Sequence, residues 1–389
     1  MVVVTAEPRR HPFPEPAPRP PTGYLDAVAG QPLLPAARQA WLAAAELAWS
    51  DPARLHHEGR RAGMVLDAAR ASVAGYLGVR PEEVFFTSSG PTAAAVAVQG
   101  LLDARGGAPA RVVIGAVESL AVTSPVGRWS SEADVIPVDS TGRIDPAAFE
   151  SALAHPAALA CLQAANGEVG TRQPVGPVLG AARRAGVPLL VHAVQVVGRG
   201  PVPSDWDVLA ASARDWGGPA GVGVLAVRTS VRWTPDENPD RGWVGGFPDV
   251  PGAAAAATAL EYVAPWVEQE ARRAHDLTAV IRAQLPEIVP GVTVAGSPDD
   301  RLPHIVTFTV PGVTGEVLVT ELGRVGLSVA SGSACTADTR MPSQVLAAIG
   351  LAADASVRVS LPYACTEATV EAFLDALPGA VESARSGSR

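Results

Sequence analysis

The stretch SARDWGGPAGVG, residues 212–223, lies where two apolar runs meet. The runs 208–213 and 221–227 each have the length and composition of a buried strand, and the glycines and proline between them indicate a turn. From Tyr24 onward, short apolar runs of this kind alternate with amphipathic ones. That alternation is typical of strands and helices that follow each other in a parallel sheet, so the sequence predicts an α/β fold.

More segments on both sides of this stretch continue the pattern. The other predicted strands of the sheet are 83–87, 111–117, 159–164 and 187–194. The predicted helices are 57–77, 92–104 and 175–185, and each of them ends near a Gly or Pro. We expect right-handed crossovers to join these elements into one open, mostly parallel sheet.

The chain is predicted to contain an arm, a large domain and a small domain. Residues 1–21 are rich in Pro and Arg and lack a continuous apolar core, which predicts a disordered arm. Residues 22–262 are predicted to form the large domain. After residue 252 a long helical segment runs toward residue 285, and strands at 304–310 and 357–361 follow with two more helices. These elements predict a smaller C-terminal α+β domain at 263–389.

Composition and charge restrict the function classes. The chain has 389 residues, of which 48% are apolar and 18% charged, and this suits a compact protein with a sizeable core. Its net charge of −9 disfavours binding to nucleic acid or to an anionic membrane. Cys161, Cys335 and Cys365 are too few and too scattered for a disulfide framework. We therefore expect a cytoplasmic protein without nucleic-acid or membrane partners.

Several motifs occur in order along the chain, and together they carry a family resemblance. They are YLD from Tyr24, LHHEGRRAG from Leu55, VFFTSSGPT from Val84, ANGEVGTRQPV from Ala165, HAVQ from His192, SARDWGGPAGVG from Ser212 and ASGSACTAD from Ala330. Over residues 24–377 the chain resembles the cysteine desulfurases, which belong to the class V aminotransferase family of fold type I pyridoxal phosphate (PLP) enzymes.

The resemblance implies a fold, a reaction and an assembly. The fold is a large domain with a mostly parallel sheet and a smaller C-terminal α+β domain. The reaction takes sulfur from L-cysteine onto an enzyme cysteine as a persulfide and releases alanine. The assembly is a homodimer in which both subunits build each site.

Four positions that carry the family's cofactor chemistry differ here. All 30 residues of the Lys+Arg total are arginines, so the chain has no lysine, and the PLP-lysine position is Asp215. His192 stands at the position of the aspartate that holds the pyridine nitrogen, and Ser119 at that of the ring-stacking histidine. In the phosphate site, Gly90 is followed by Pro91, which has no N–H. We therefore expect no covalently bound PLP.

Other family positions are retained. Cys335, in SGSACTAD, matches the persulfide cysteine and is a candidate sulfur carrier. Arg358 matches the arginine that clamps the substrate carboxylate. The vestigial or weak cofactor contacts that the resemblance implies are Ser89, Gly90, Asn166, Gln195, Ser212 and Arg214. His56, His57, His192 and Cys335 show no ligand spacing, so no metal site is expected.

Three hypotheses of function follow. The first is a pseudoenzyme that acts as a sulfur acceptor through Cys335, or as a regulatory or scaffold partner, in a homodimer or in a heterodimer with a lysine-bearing paralogue. The second is an enzyme that binds PLP or pyridoxamine phosphate (PMP) noncovalently and uses Asp215 or His192 as its base. The third is a cofactor-free acid–base enzyme that reuses the cleft, with Asp215, His192 and Arg214.

Overall fold

A computed structural model describes residues 11–15, 17–106, 110–235, 241–332 and 343–387. Within these residues the helices are α1 (Pro35–Leu47), α2 (His57–Leu77), α3 (Gly90–Asp103), α4 (Leu120–Trp129), α5 (Pro146–Leu153), α6 (Val175–Arg184), α7 (Val250–Val263), α8 (Val267–Ile288), α9 (Gly315–Arg324), α10 (Gln344–Ala348) and α11 (Glu367–Gly387). The strands are β1 (Val84–Thr87), β2 (Arg111–Gly115), β3 (Glu132–Ile136), β4 (Leu159–Gln163), β5 (Leu189–His192), β6 (Val208–Ser212), β7 (Gly223–Val227), β8 (Thr293–Val294), β9 (Ile305–Thr309) and β10 (Ser356–Ser360).

Seven strands form the large sheet in the order β1-β7-β6-β5-β4-β2-β3. All neighbouring pairs from β6 to β3 are parallel, and only β7 runs antiparallel to its neighbours. Strands β4, β5 and β6 are buried along their whole length. The mostly parallel α/β sheet predicted from the sequence is confirmed. Because the parallel strands end at one edge, the residues that follow β2, β4, β5 and β6 converge there.

The sequence patterns did not predict one strand of the large sheet, β3. β3 has exposed residues along most of its length and lies at the edge of the sheet, paired only with β2. Its sequence, EADVI, therefore has neither the continuous apolar run of a central strand nor a clear alternation. The continuous apolar run that identified the central strands is therefore absent from this edge strand.

A second sheet lies in the C-terminal part of the chain. Its three strands are antiparallel in the order β10-β9-β8, and α8, α9 and α11 pack on them. Phe308 and Phe373 are fully buried in the core between these elements. This arrangement agrees with the α+β character expected for that region. Leu25 is buried in the same core, so the chain N-terminal to residue 263 also contributes to it. The domain boundary at 262/263 stays a prediction.

Part of the segment expected to be a disordered arm packs against the protein. The Phe13 side chain is only 5% exposed, its ring stacks on Tyr262 with centroids 5.9 Å apart, and it meets Tyr363 edge-on at 5.4 Å. The Tyr262 hydroxyl donates to the Pro14 carbonyl at 2.9 Å. The expectation of disorder therefore has to be corrected for residues 11–15 and 17–21, because a buried aromatic ring holds this segment down.

Candidate functional site

A cavity opens at the carboxyl ends of β4, β5 and β6, beside the N-terminal ends of α3 and α4. The polar residues that line it are Glu118, Ser119, Gln163, Asn166, Glu168, His192, Gln195, Ser212, Arg214, Gln344 and Arg358. Seven of the predicted site residues are therefore brought together around one cavity. Asp215, Ser89 and Gly90 do not line it.

Asp215 is turned away from the cavity and is satisfied within the protein. It lies in a 3-10 turn, Ala213–Trp216, that follows β6, and it is 1% exposed. Gln195 donates to it twice, from Nε2 to Oδ1 at 2.8 Å and from the backbone N–H to Oδ2 at 3.3 Å. Burial raises the pKa of Asp215 to about 6, although Arg214 and the Gln195 N–H lower it. In this 3-10 turn Arg214, not Asp215, faces the cavity.

Gln195 holds Asp215 from an unfavourable backbone conformation. Its φ is 67°, in the left-handed region that favours glycine. Besides donating to Asp215, its side-chain oxygen lies 3.1 Å from His304 Nε2. Residues held in such conformations persist where their surroundings fix them, and they concentrate at functional sites. The bonds from Gln195 to Asp215 and His304 supply that fixation.

His192 and Ser119 contact each other at the cavity wall. The Ser119 Oγ lies 3.4 Å from His192 Nδ1, while His192 Nε2 is buried and has no partner among the described residues. Burial lowers the pKa of His192 to about 4, so the ring is neutral at physiological pH. Ser119 immediately precedes α4 and has no aromatic face, so it cannot stack on a planar ring.

The N-terminus of α3 uses its own side chains to satisfy its first turn. Ser89 Oγ accepts from Thr92 N at 3.1 Å and lies 2.8 Å from Thr92 Oγ1. Pro91 lines the cavity and has no N–H. A Cβ on Gly90 would lie 2.6 Å from the Ser212 Cβ, which shows how closely this turn approaches β6. Two of the donors with which a helix start binds phosphate are thus missing or occupied.

Two buried acids in the wall were not among the candidates from sequence. Glu118 is 6% exposed; one of its oxygens accepts from Gln163 N, and Oε2 has no partner among the described residues. Glu168 is 5% exposed, and neither of its oxygens has a partner with full hydrogen-bond geometry among the described residues, although the Ser343 hydroxyl lies close enough to lower its pKa. Burial raises the pKa of Glu118 to about 7 and also raises that of Glu168, where the nearby Ser343 and Arg358 counteract it. A usable signal was present for Glu118, which lies among the apolar residues of AVESLAV (116–122), whereas Glu168, in ANGEVGTRQPV, has no apolar run around it.

Two arginines also line the cavity. Arg358, on β10, is 1% exposed; its Nη2 donates to Asp26 Oδ1 at 2.9 Å and its Nε has no partner among the described residues. Arg214 Nε is likewise without a hydrogen bond there, and lies 3.8 Å from Asp215 Oδ1. The cavity therefore presents both guanidinium and carboxyl groups.

Asn166 is occupied by the local backbone. Its Oδ1 accepts from Glu168 N at 2.9 Å and from Val169 N at 2.8 Å, and its Nδ2 donates to the Val117 carbonyl at 3.2 Å. Its position in the wall thus follows from a turn that it stabilises.

Cys335 and its loop lie outside the described residues, so the structure leaves its proposed role as a sulfur carrier a prediction. Cys161 and Cys365 are free and buried, and burial raises the pKa of both thiols. In the described part of the chain, no three His, Cys, Asp or Glu side chains are grouped as a metal site would need. The helices described there include none with the length and apolarity to cross a membrane.

Residues 24–373 match the family model Aminotransferase class-V. The chain belongs to this family. It is 35% identical over 383 residues to an IscS-like cysteine desulfurase of Mycobacterium tuberculosis, an alignment that covers 93% of this chain and 97% of that protein. It is 34% identical over 379 residues to a cysteine desulfurase of Cereibacter sphaeroides, with 93% and 96% covered. The resemblance to cysteine desulfurases inferred from the motifs is confirmed.

The solved structures agree with the family assignment. One described as a NifS-like protein matches with a TM-score of 0.85 and 25% sequence identity, over 93% of this chain and 100% of that one. The fold type I architecture expected from the sequence is therefore confirmed as well.

The residues of the cavity do not fit PLP as the family resemblance implies it to be held. The chain has no lysine for an imine. Neutral His192 is not the anion that would keep a pyridine nitrogen protonated, and Ser119 offers no ring. The first turn of α3 lacks an N–H at Pro91 and has the Thr92 N–H occupied by Ser89. No catalytic step through this cofactor follows from these residues.

Proposed function

We propose that this chain is a cysteine desulfurase-like protein without the lysine-dependent reaction, acting as a sulfur acceptor or as a regulatory or scaffold partner. One observation carries the proposal: the residue at the PLP-lysine position, Asp215, is buried and held by two hydrogen bonds from Gln195, with its side chain outside the cavity wall. Neither an amine nor a free acid therefore faces the cavity from this position.

This geometry weighs against the hypotheses that use Asp215 as a base. A general base has to reach its substrate within about 3 Å or through one water. Both carboxylate oxygens of Asp215 instead accept hydrogen bonds from Gln195. His192 is the remaining candidate base, because its Nε2 lies in the wall without a partner among the described residues. Noncovalent binding of PLP or PMP with His192 as base is the second candidate function.

A homodimer is the proposed assembly, and an exposed apolar surface supports it. Along α1 and just after it, Trp41, Leu42, Leu47 and Trp49 are between 42% and 68% exposed. Large exposed apolar groups in one region mark interaction surfaces. The same surface would serve a heterodimer with a lysine-bearing paralogue. We place this assembly in the cytoplasm, as the charge and the sparse cysteines suggest.

The first test is titration of the purified protein with PLP and with PMP, followed by visible absorbance and calorimetry. We expect no imine absorbance and no tight binding. An Asp215→Lys variant, checked for folding by circular dichroism, tests whether the cleft still accepts the cofactor once an amine is restored. Micromolar PMP binding together with conversion of an amino substrate by the unmodified protein would replace the proposal with the lysine-free enzyme.

The sulfur-acceptor role has a separate test. Native protein is treated with a thiol-alkylating reagent, and the labelled cysteines are mapped by mass spectrometry over time. Buried Cys161 and Cys365, whose pKa values are raised, are expected to react slowly. Cys335 has to react much faster than both. Equal rates would remove the sulfur-acceptor role and leave a regulatory or scaffold one.

A further inference from the structure

Ser119 stands at the N-cap of α4 without capping the helix. A serine at this position ordinarily accepts a hydrogen bond from the second or third N–H of its helix. Ser89 does so at the start of α3, where its Oγ accepts from Thr92 N. The Ser119 side chain accepts no such bond, and its Oγ lies 3.4 Å from His192 Nδ1. The hydroxyl therefore contacts an imidazole instead of its own helix.

The first turn of α4 leaves backbone N–H groups open beside this hydroxyl. The Ser119 carbonyl oxygen accepts from Val122 N and Thr123 N, both at 2.9 Å. The N–H groups of Leu120 and Ala121 have no hydrogen-bond partner among the described residues, and both residues line the cavity. The positive end of the helix dipole strengthens the attraction of such donors for an anion. An oxygen that gains negative charge next to Ser119 would thus meet preorganised donors, as in an oxyanion hole.

The place of Ser119 in the fold suits a nucleophile. The chain turns from the parallel strand β2 into α4 over residues 116–119. A strand–turn–helix junction of this kind can expose a serine hydroxyl at the carboxyl edge of a sheet, with the next N–H as an oxyanion donor. His192 is the last residue of β5 and reaches the same edge. The fold thereby joins two side chains that are 73 residues apart in sequence.

His192 is in the protonation state that a general base needs. Burial lowers its pKa to about 4, so the ring is neutral at physiological pH. When Nε2 carries the ring's own proton, Nδ1 is free to take one from Ser119. Nε2 has no partner among the described residues, so no carboxylate described there assists the ring. An unassisted imidazole of low pKa is a weak base, and turnover should therefore be slow.

We propose that Ser119 and His192 form a nucleophile–base pair that hydrolyses esters of short acyl groups. Ser119 Oγ bonds to the carbonyl carbon while its proton passes to His192 Nδ1, and the carbonyl oxygen becomes an oxyanion held by the N–H groups of Leu120 and Ala121. The C–O bond to the leaving group then breaks, and the alcohol departs with the proton from Nδ1. Water next attacks the acyl-serine and gives its proton to Nδ1; the carboxylic acid leaves as that proton returns to Ser119 Oγ.

The cavity restricts the acyl group to a short one. Its volume is about 120 Å³, roughly that of four water molecules in the liquid. Val28, Leu120 and Val194 give it an apolar side. An acetyl group suits this space, whereas a long acyl chain exceeds it. The activity is additional to the proposed sulfur-acceptor or scaffold role, in which neither Ser119 nor His192 takes part.

The first test is covalent labelling with a small alkyl fluorophosphonate, which reacts with activated serines. The unmodified protein is treated in its folded state and in urea, and the labelled residues are mapped by mass spectrometry. We expect the label on Ser119 in the folded protein and none on Ser119 in the unfolded chain. Absence of the label from Ser119 in the folded protein would overturn the proposal, and so would equal labelling in urea.

Matched variants, checked for folding by circular dichroism, assign the two roles. His192→Gln should slow the labelling of Ser119 by about a hundredfold, which lies within the range of general-base contributions. Ser124→Ala removes a hydroxyl from an exposed position of the same helix and should leave that labelling unchanged. An unchanged labelling rate in His192→Gln would refute the role of His192 as base.

Hydrolysis of 4-nitrophenyl acetate measures turnover. Ser119→Ala should lower kcat/KM by about a hundredfold or more, and the unmodified protein should hydrolyse the decanoate ester at least about tenfold more slowly than the acetate. Equal kcat/KM in Ser119→Ala and the unmodified protein would overturn the proposal, and equal rates for the two esters would overturn the limit on acyl length. These outcomes are separable from the proposed function, because PLP-dependent turnover would refute that function whatever happens at Ser119.

Discussion

Glu118→Gln should gain stability relative to the unmodified chain as the pH rises. Glu118 is buried and has one oxygen without a partner among the described residues, and burial raises its pKa from 4.5 to about 7. In the unfolded chain this carboxyl group ionises near 4.5, but in the folded chain it keeps its proton to about pH 7. The folded state therefore binds more protons in this window, and stability falls as pH rises through it.

The magnitude follows from the two pKa values. The difference between 4.5 and about 7, at about 1.4 kcal/mol per pH unit, corresponds to a loss of about 3 kcal/mol once the pH exceeds both. Since the unfolded chain is mostly ionised by pH 5.5, about 2 kcal/mol of this falls between pH 5.5 and 8.5. Glutamine cannot ionise, and its Oε1 can still accept from Gln163 N. The variant should lack this loss.

Chemical denaturation at a series of pH values measures the effect. The quantity of interest is the variant's free energy of unfolding minus that of the unmodified protein, because contributions from His192 and Asp215 then largely cancel. This difference should increase by about 2 kcal/mol from pH 5.5 to 8.5. A difference that stays constant over that range would mean that Glu118 ionises normally, and would refute the view that its environment disfavours the charge.

Two other perturbations test packing away from the cavity. Glu270 is 3% exposed and accepts two hydrogen bonds of 2.8 Å from Arg273. Denaturant unfolding should therefore show a loss of about 3–5 kcal/mol for Glu270→Ala, against about 0.5 kcal/mol or less for the exposed control Glu268→Ala. Equal small losses in the two variants would contradict the pairing. Phe13→Ala removes the ring that stacks on Tyr262, and limited proteolysis with mass spectrometry should then show faster cleavage within residues 11–21 while global unfolding changes little. Unchanged cleavage there would show that Phe13 does not hold the segment.

Sequence patterns predicted the central strands because burial on both faces leaves continuous apolar runs. The family resemblance, rather than these patterns, implied that Asn166, Gln195 and Arg358 belong to one site. Neither the patterns nor the resemblance could show whether Arg214 or Asp215, in the turn after β6, faces the cavity. That choice depends on backbone angles and on Gln195, which accepts a left-handed φ of 67° and holds Asp215 outside. The exposed edge strand β3 has neither a continuous apolar run nor a clear alternation, so the sequence did not predict it.

Asp215 and the two glutamates of the cavity wall differ in how far protein groups satisfy them. Asp215, which stands where the family resemblance implies a lysine, is fully satisfied by protein groups, so the change at that position is accommodated inside the fold. Glu118 and Glu168 keep oxygens without partners among the described residues. Each such group costs a measurable part of a total stability that is only about 5–15 kcal/mol for a typical domain. The cost of burying acids in this cleft therefore falls on Glu118 and Glu168 rather than on Asp215, which is why the pH dependence of stability is expected to report Glu118.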